Sequence, residues 1–150
     1  MSKSINHNVF LAQSAEDIWE YLTRPELIEL WLMKSDFQPI VGHQFQFRTM
    51  PMPNHEFDGN VYCTVLEVTP FQKLSYSWKG GPGDGRITLD SVVAWTLVPK
   101  DNGTELQLVH SGFKETENMF GFNIMSDGWL KSMHKIGELI KTAKDGANNA

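Results

Sequence analysis

Residues 5–11 alternate. Ile5, His7, Val9 and Leu11 fall on one face and Asn6 and Asn8 on the other, which predicts a half-buried strand. Ser14 then stands three residues before Asp17, the spacing of a capping box. Ala15, Ile18, Trp19 and Leu22 follow at helical spacing and predict one amphipathic helix. Thr23-Arg24-Pro25-Glu26 is a second start signal. Thr23 is placed to cap, Glu26 to reach back, and Pro25 sits in the first turn, where its missing N–H costs nothing. Leu27, Ile28 and Trp31 give this short helix its apolar face.

From Asp36 to Ser111 the period is two. Phe45 and Phe47 alternate with Gln44, Gln46 and Arg48, and Val61 to Val68 is a β-rich run stopped by Pro70. Leu74, Tyr76 and Trp78 share one parity; so do Val93, Trp95 and Leu97, and Thr104, Leu106, Leu108 and His110. Asn102-Gly103 within Pro99 to Gly103 predicts a hairpin turn, and the glycine run from Gly80 to Gly85 a longer one. Strands in succession with no helix between them predict an antiparallel sheet. Near Met119 the period changes again. Phe122, Met125, Trp129, Met133, Ile136, Ile140 and Ala143 form the stripe of one long helix, expected to end before Gly146. The fold class is therefore α+β: a curved antiparallel sheet of about six to seven strands around a long C-terminal helix, with two short helices after the first strand. Residues 1–150 read as a single domain, with a core over about 5–144 and a polar tail over 145–150.

Composition narrows the partners. The net charge of −5, with no basic block, argues against nucleic acid and against an anionic membrane surface. The single cysteine, Cys63, allows no internal disulfide. The polar start from Met1 to Asn8 lacks the pattern of a secretion signal, and no apolar run reaches the length of a membrane span. A cytoplasmic protein is the simplest expectation. None of the five histidines stands at a ligand spacing, so no metal and no cofactor is expected. The glycine run is not followed by Lys-Ser/Thr and is not a phosphate loop, and there is no Gly-x-Ser-x-Gly elbow.

The order of elements resembles the helix-grip fold of the START-like (SRPBCC) superfamily. Trp19 and Trp31 resemble its aromatic positions. Val65-Leu66-Glu67-Val68-Thr69-Pro70, then Lys73 to Trp78, the run Gly103 to Phe113, and Gly128-Trp129-Leu130 resemble stretches of one subfamily. That subfamily is named for homology to the activator of the heat-shock protein 90 ATPase, and the resemblance runs from about Ile5 to Lys144. Cys63 departs from the pattern, falling where the subfamily often has glycine. The resemblance implies a cavity between sheet and C-terminal helix. It leaves three functions open: binding of a small hydrophobic or aromatic molecule, a polyketide-cyclase or aldol-type enzyme using a cavity histidine such as the wider superfamily contains, or a chaperone-binding partner. In the chaperone activator this fold is one of two domains, and the present chain accounts for one; the binding role is preferred, with no catalysis assigned.

The residues expected to line such a cavity are Trp31, Phe45, Phe47, Tyr76, Trp78, Trp95, His110, Met125, Trp129 and Met133. Packed core is the plainer reading for most of them; Trp and Met together also suit a flat, adaptable ligand. His110 shares the inward parity of Leu106 and Leu108. It is the one candidate acid or base, with Asp127, Tyr62 or Tyr76 as partners, although a core histidine satisfied by a neighbour is the commoner case. Asp127 reads as a solvated helix position and Glu67 as an outward charge near Lys73. Cys63 reads as a small hydrophobe. Phe57 and Phe120 are candidate contacts for a homodimer.

Overall fold

The computed structural model describes the backbone of residues 2–114 and 119–148 and the side chains of 3–114 and 121–146. The side chain of Phe120 and the end of the expected tail, 149–150, lie outside what is described. Strand β1 (Ser2–Leu11) leads into helices α1 (Ala15–Thr23) and α2 (Pro25–Trp31). Strands β2 (Gln44–Arg48), β3 (Asn60–Thr69), β4 (Lys73–Gly80), β5 (Leu89–Lys100) and β6 (Gly103–Lys114) follow, and helix α3 (Met119–Asn148) closes the chain. The six strands form one sheet in the order β1-β6-β5-β4-β3-β2, with every neighbouring pair antiparallel. The α1–α2 segment carries the chain from the β1 edge to the β2 edge, which leaves room for β6 beside β1. This is the helix-grip arrangement.

Alternation sets the inner face. Ile5, Val9 and Leu11 of β1, Leu106, Leu108 and His110 of β6, Val93, Trp95 and Leu97 of β5, and Leu74, Tyr76 and Trp78 of β4 are all buried. Trp129, Met133, Ile136 and Ile140 of α3 are buried among them. Gly137 lets α3 close on β1: a Cβ there would sit 2.9 Å from Leu11 Cδ2.

Two bulges reset the alternation. Between β1 and β6 the register shifts at Lys3/Ser4, where Gly112 is the extra residue, with φ +109°. Strict alternation from His110 would turn Gly112 inward and Phe113 outward; the bulge brings Phe113 inside, fully buried. Between β3 and β4 the register shifts between Val65 and Glu67, so Leu66 and Glu67 are both exposed, and Leu66 does not share the inward face of Val65.

Four local expectations are corrected. Thr23 does not cap α2; its hydroxyl donates to Trp19 O at 2.7 Å within α1, and Arg24 is the N-cap, without a side-chain bond. A threonine hydroxyl inside a helix has the carbonyl one turn earlier within reach, and that back-bond competes with capping the next helix. The hairpin turn lies one residue earlier than Asn102-Gly103, because Asp101 and Asn102 hold the two positive φ values and Gly103 already pairs with Lys100. Helix α3 runs through Gly146 to Asn148; an exposed helical glycine costs only about 1 kcal/mol. Ala143 is exposed rather than part of the buried stripe. The Ser14 cap is as expected, accepting from the Asp17 backbone N–H at 3.2 Å. Among the described residues no helix is long and apolar enough to cross a membrane.

Candidate functional site

Beside the end of β4, the starts of β3 and β5 and the first turns of α3, the structure holds a cleft of about 490 Å³. Its apolar wall is Val61, Trp78, Leu89, Phe113, Met125 and Phe57, and Met52, Asn54, His55, Glu56, Gly80, Thr88 and Gly121 complete it. The wall comes from inward positions of β3, β4 and β6, from the start of β5, and from one side of α3.

The segment between β2 and β3 folds over this cleft through a single 3₁₀ turn at Pro53–His55. Met52 N–H donates to Phe57 O at 2.8 Å and pins the turn. Asp58 N–H donates to Gly81 O at 2.8 Å, tying the segment to the loop after β4. The Asp58 carboxylate accepts from Asn60 N–H at 2.9 Å, a bond that holds its carboxyl below the usual range. Arg86, from the loop before β5, pairs with both Asp84 at 2.9 Å and Glu56 at 3.1 Å. On the other side, α3 is fixed to β1. His7 Nε2–H donates to Ser126 O at 2.8 Å, and Lys3 Nζ lies 5.2 Å from the Phe122 ring centre. Since a carbonyl only accepts, His7 carries its proton on Nε2.

Behind the cleft lies a closed aromatic layer. Trp31 meets Trp95 edge to face at 5.8 Å, Trp95 meets Trp129 at 5.6 Å, and Trp129 meets Trp78 at 5.3 Å. Phe47 lies 5.5 Å from Trp78. Most of the polar edges of these rings are paired. Trp31 Nε1–H donates to Tyr21 O at 2.8 Å and Trp95 Nε1–H to the Tyr76 hydroxyl at 3.1 Å. Burial pushes the Tyr76 hydroxyl pKa well above the ordinary tyrosine value. Trp78 Nε1 is the exception: among the described residues it is buried with no hydrogen-bond partner.

His110 has no exposed surface. Its Nδ1 accepts from Trp129 Nε1–H at 3.0 Å, and an indole can only donate. The ring proton is therefore on Nε2 and donates to Ser91 Oγ at 2.8 Å. The Ser91 hydroxyl passes its own proton on to Trp78 O at 2.6 Å. Desolvation pushes the pKa of His110 down to about 3. Both ring nitrogens are occupied, the ring is neutral near pH 7, and His110 does not line the cleft.

Of the residues expected at a cavity, Trp78 and Met125 line this cleft. Phe45 borders a separate hollow of about 590 Å³, formed with Gln46, Arg48, Tyr62 and Lys79 at the β2 edge. Trp31, Phe47, Tyr76, Trp95, His110, Trp129 and Met133 lie buried outside the cleft wall. The partners named for His110 are not its partners. Asp127 is exposed, Tyr62 is 45% exposed, and Tyr76 is bonded to Trp95. Ser91 and Trp129 take their place. Ser91 shares the inward parity of Val93 and Trp95, which was a readable signal. Cys63 is buried and outside the cleft wall, its thiol pKa pushed up by desolvation. Phe57, considered for a dimer contact, is half-buried and forms part of the cleft. Among the described residues no group of three His, Cys, Asp or Glu is placed to hold a metal ion.

Comparison with known proteins yields a family and a set of structures. A family model described as Activator of Hsp90 ATPase homolog 1-like protein matches residues 12–141. No curated protein gives a significant match. The crystal structure of protein MLL2253 from Mesorhizobium loti is 34% identical, covers 93% of this chain and 98% of its own, and superposes with a TM-score of 0.82. The solution structure of Bacillus halodurans protein BH1534 is 25% identical, with coverages of 92% and 96% and a TM-score of 0.71. The solution structure of the Aha1 dimer from Colwellia psychrerythraea shares the fold, at 18% identity, coverages of 92% and 96% and a TM-score of 0.72.

Proposed function

The chain belongs to the Activator of Hsp90 ATPase homolog 1-like family, and from that premise we propose that it binds a small apolar or aromatic molecule in the cleft beside Trp78, with no reaction assigned to it. The observation that carries this reading is the cleft itself. Its volume of about 490 Å³ lies in the range that accommodates a drug-sized molecule. Rings from Phe57, Trp78 and Phe113 and thioethers from Met52 and Met125 supply a polarisable, adaptable wall for a flat ligand. The enzyme alternative rests on His110 as acid or base, and the geometry disfavours it. A histidine with both nitrogens bonded, and sited outside the cleft wall, has no free valence for a substrate proton.

Gly121 supplies the test. Among the described residues a Cβ built there meets only Met125 Cε, at 4.0 Å, and Gly121 itself lines the cleft, so a larger side chain is expected to enter it. Leucine also has the better helix propensity, so a plugged variant is not a misfolded one. Nile red, an uncharged apolar dye, is expected to bind the wild type saturably at one site per chain. Gly121→Leu is expected to lose that binding while keeping its thermal midpoint. Equal dye binding by both proteins would remove the cleft from the reading.

A further inference from the structure

We infer that the cleft selects an uncharged ligand and rejects the carboxylate built on the same skeleton; this rests on the cleft being the binding site. Among the described residues that line it there is no Lys or Arg. The carboxylate among the described wall residues is Glu56, its side chain 53% exposed. Arg86 is bound to it at 3.1 Å but is shared with Asp84 at 2.9 Å. Two carboxylates on one guanidinium leave that cluster with a net charge of −1, so it offers an anionic head group no net positive charge.

An anion entering this cleft would give up its water against Val61, Trp78, Leu89 and Phe113 and meet no Lys or Arg among the described wall residues in return. It would also approach the Glu56 carboxylate. An uncharged ring system carrying a ketone, ether or phenol oxygen meets neither cost. Asn54 and Thr88 add uncharged polar groups to the wall, and His55 is its other titratable side chain. The chemical class is therefore a neutral aromatic or alicyclic compound, as distinct from a fatty acid or an aryl carboxylate.

The test compares 2-acetylnaphthalene with 2-naphthoate, which share ring and shape and differ in charge. Affinities are measured by calorimetry on the full chain at pH 8, above the range in which histidines ordinarily ionise. The ketone is expected to bind at least about tenfold more tightly than the carboxylate, and Glu56→Gln to shrink that ratio by raising naphthoate affinity. Naphthoate binding as tightly as the ketone would overturn the inference while leaving the cleft a binding site. Failure of both compounds to bind would overturn the reading of the cleft along with it.

Discussion

At the scale of single residues, hydrogen-bond directionality decides more than burial does. His110 and Trp78 are both buried, yet one is fully bonded and the other, among the described residues, carries a donor with no partner. Trp→Phe removes the same ring volume at position 78 and at position 129, but the polar consequences are opposite. At 78 it deletes an unsatisfied N–H. At 129 it breaks the bond to His110 Nδ1 and leaves that nitrogen unpaired. Trp129→Phe is therefore expected to destabilise by about 2 kcal/mol more than Trp78→Phe in urea unfolding; equal losses would contradict the bonding scheme.

The depressed pKa of His110 has a pH consequence with a definite sign. The folded value is about 3, against 6.5 for the free side chain. Between those values the unfolded chain binds a proton that the folded one does not. The stability associated with His110 is complete above the unfolded value and is lost as pH falls from about 6.5 toward about 3. Its contribution to a loss between pH 7 and pH 5 is about 2 kcal/mol. His110→Gln is expected to flatten that part of the profile. An unchanged pH dependence in the variant would mean that His110 is not the group responsible.

At the scale of elements, α3 separates what alternation and periodicity can read from what they cannot. The helical stripe identifies Trp129, Met133, Ile136 and Ile140, all of them buried. It also includes Ala143, which is exposed because the helix extends beyond its contact with the sheet. Ile136→Ala is expected to cost about 2–5 kcal/mol in chemical denaturation, and Ala143→Lys less than about 0.5 kcal/mol. A large loss at Ala143 would show that the last turns of the helix are packed.

The strands show the same division. Parity assigned the inward residues of β4, β5 and the first part of β6 correctly because these strands run without a bulge. It failed where an extra residue intervenes. Gly112 turns Phe113 into the cleft wall, and the Val65/Glu67 shift turns Glu67 to solvent, where alternation from Val61, Cys63 and Val65 would bury it. A lone glycine in a strand signals a bulge, but its register depends on β1, more than a hundred residues earlier in the chain.

At the scale of the molecule, the fold was legible because an antiparallel run of strands followed by one long amphipathic helix leaves few ways to bury both apolar faces. The site was legible only in part. Trp78 and Met125 were readable as inward aromatic and thioether positions. Met52 and Phe57 reach the cleft through loop placement, Leu89 from a strand end and Gly121 from the first turn of α3, none of which periodicity encodes. The other rings expected at a cavity pack on one another instead, edge to face, and fill the interior behind it. The open volume lies toward one end of the sheet–helix sandwich.

Methyl groups report on that volume directly. In ¹H–¹³C methyl spectra of the protein titrated with 2-acetylnaphthalene, the methyls of Met52, Val61, Leu89 and Met125 are expected to shift together with one binding isotherm. Those of Val65, Leu106 and Met133, buried away from the cleft wall, are expected to stay in place. Shifts confined to the second set, or no saturable shifts at all, would contradict a ligand site in this cleft.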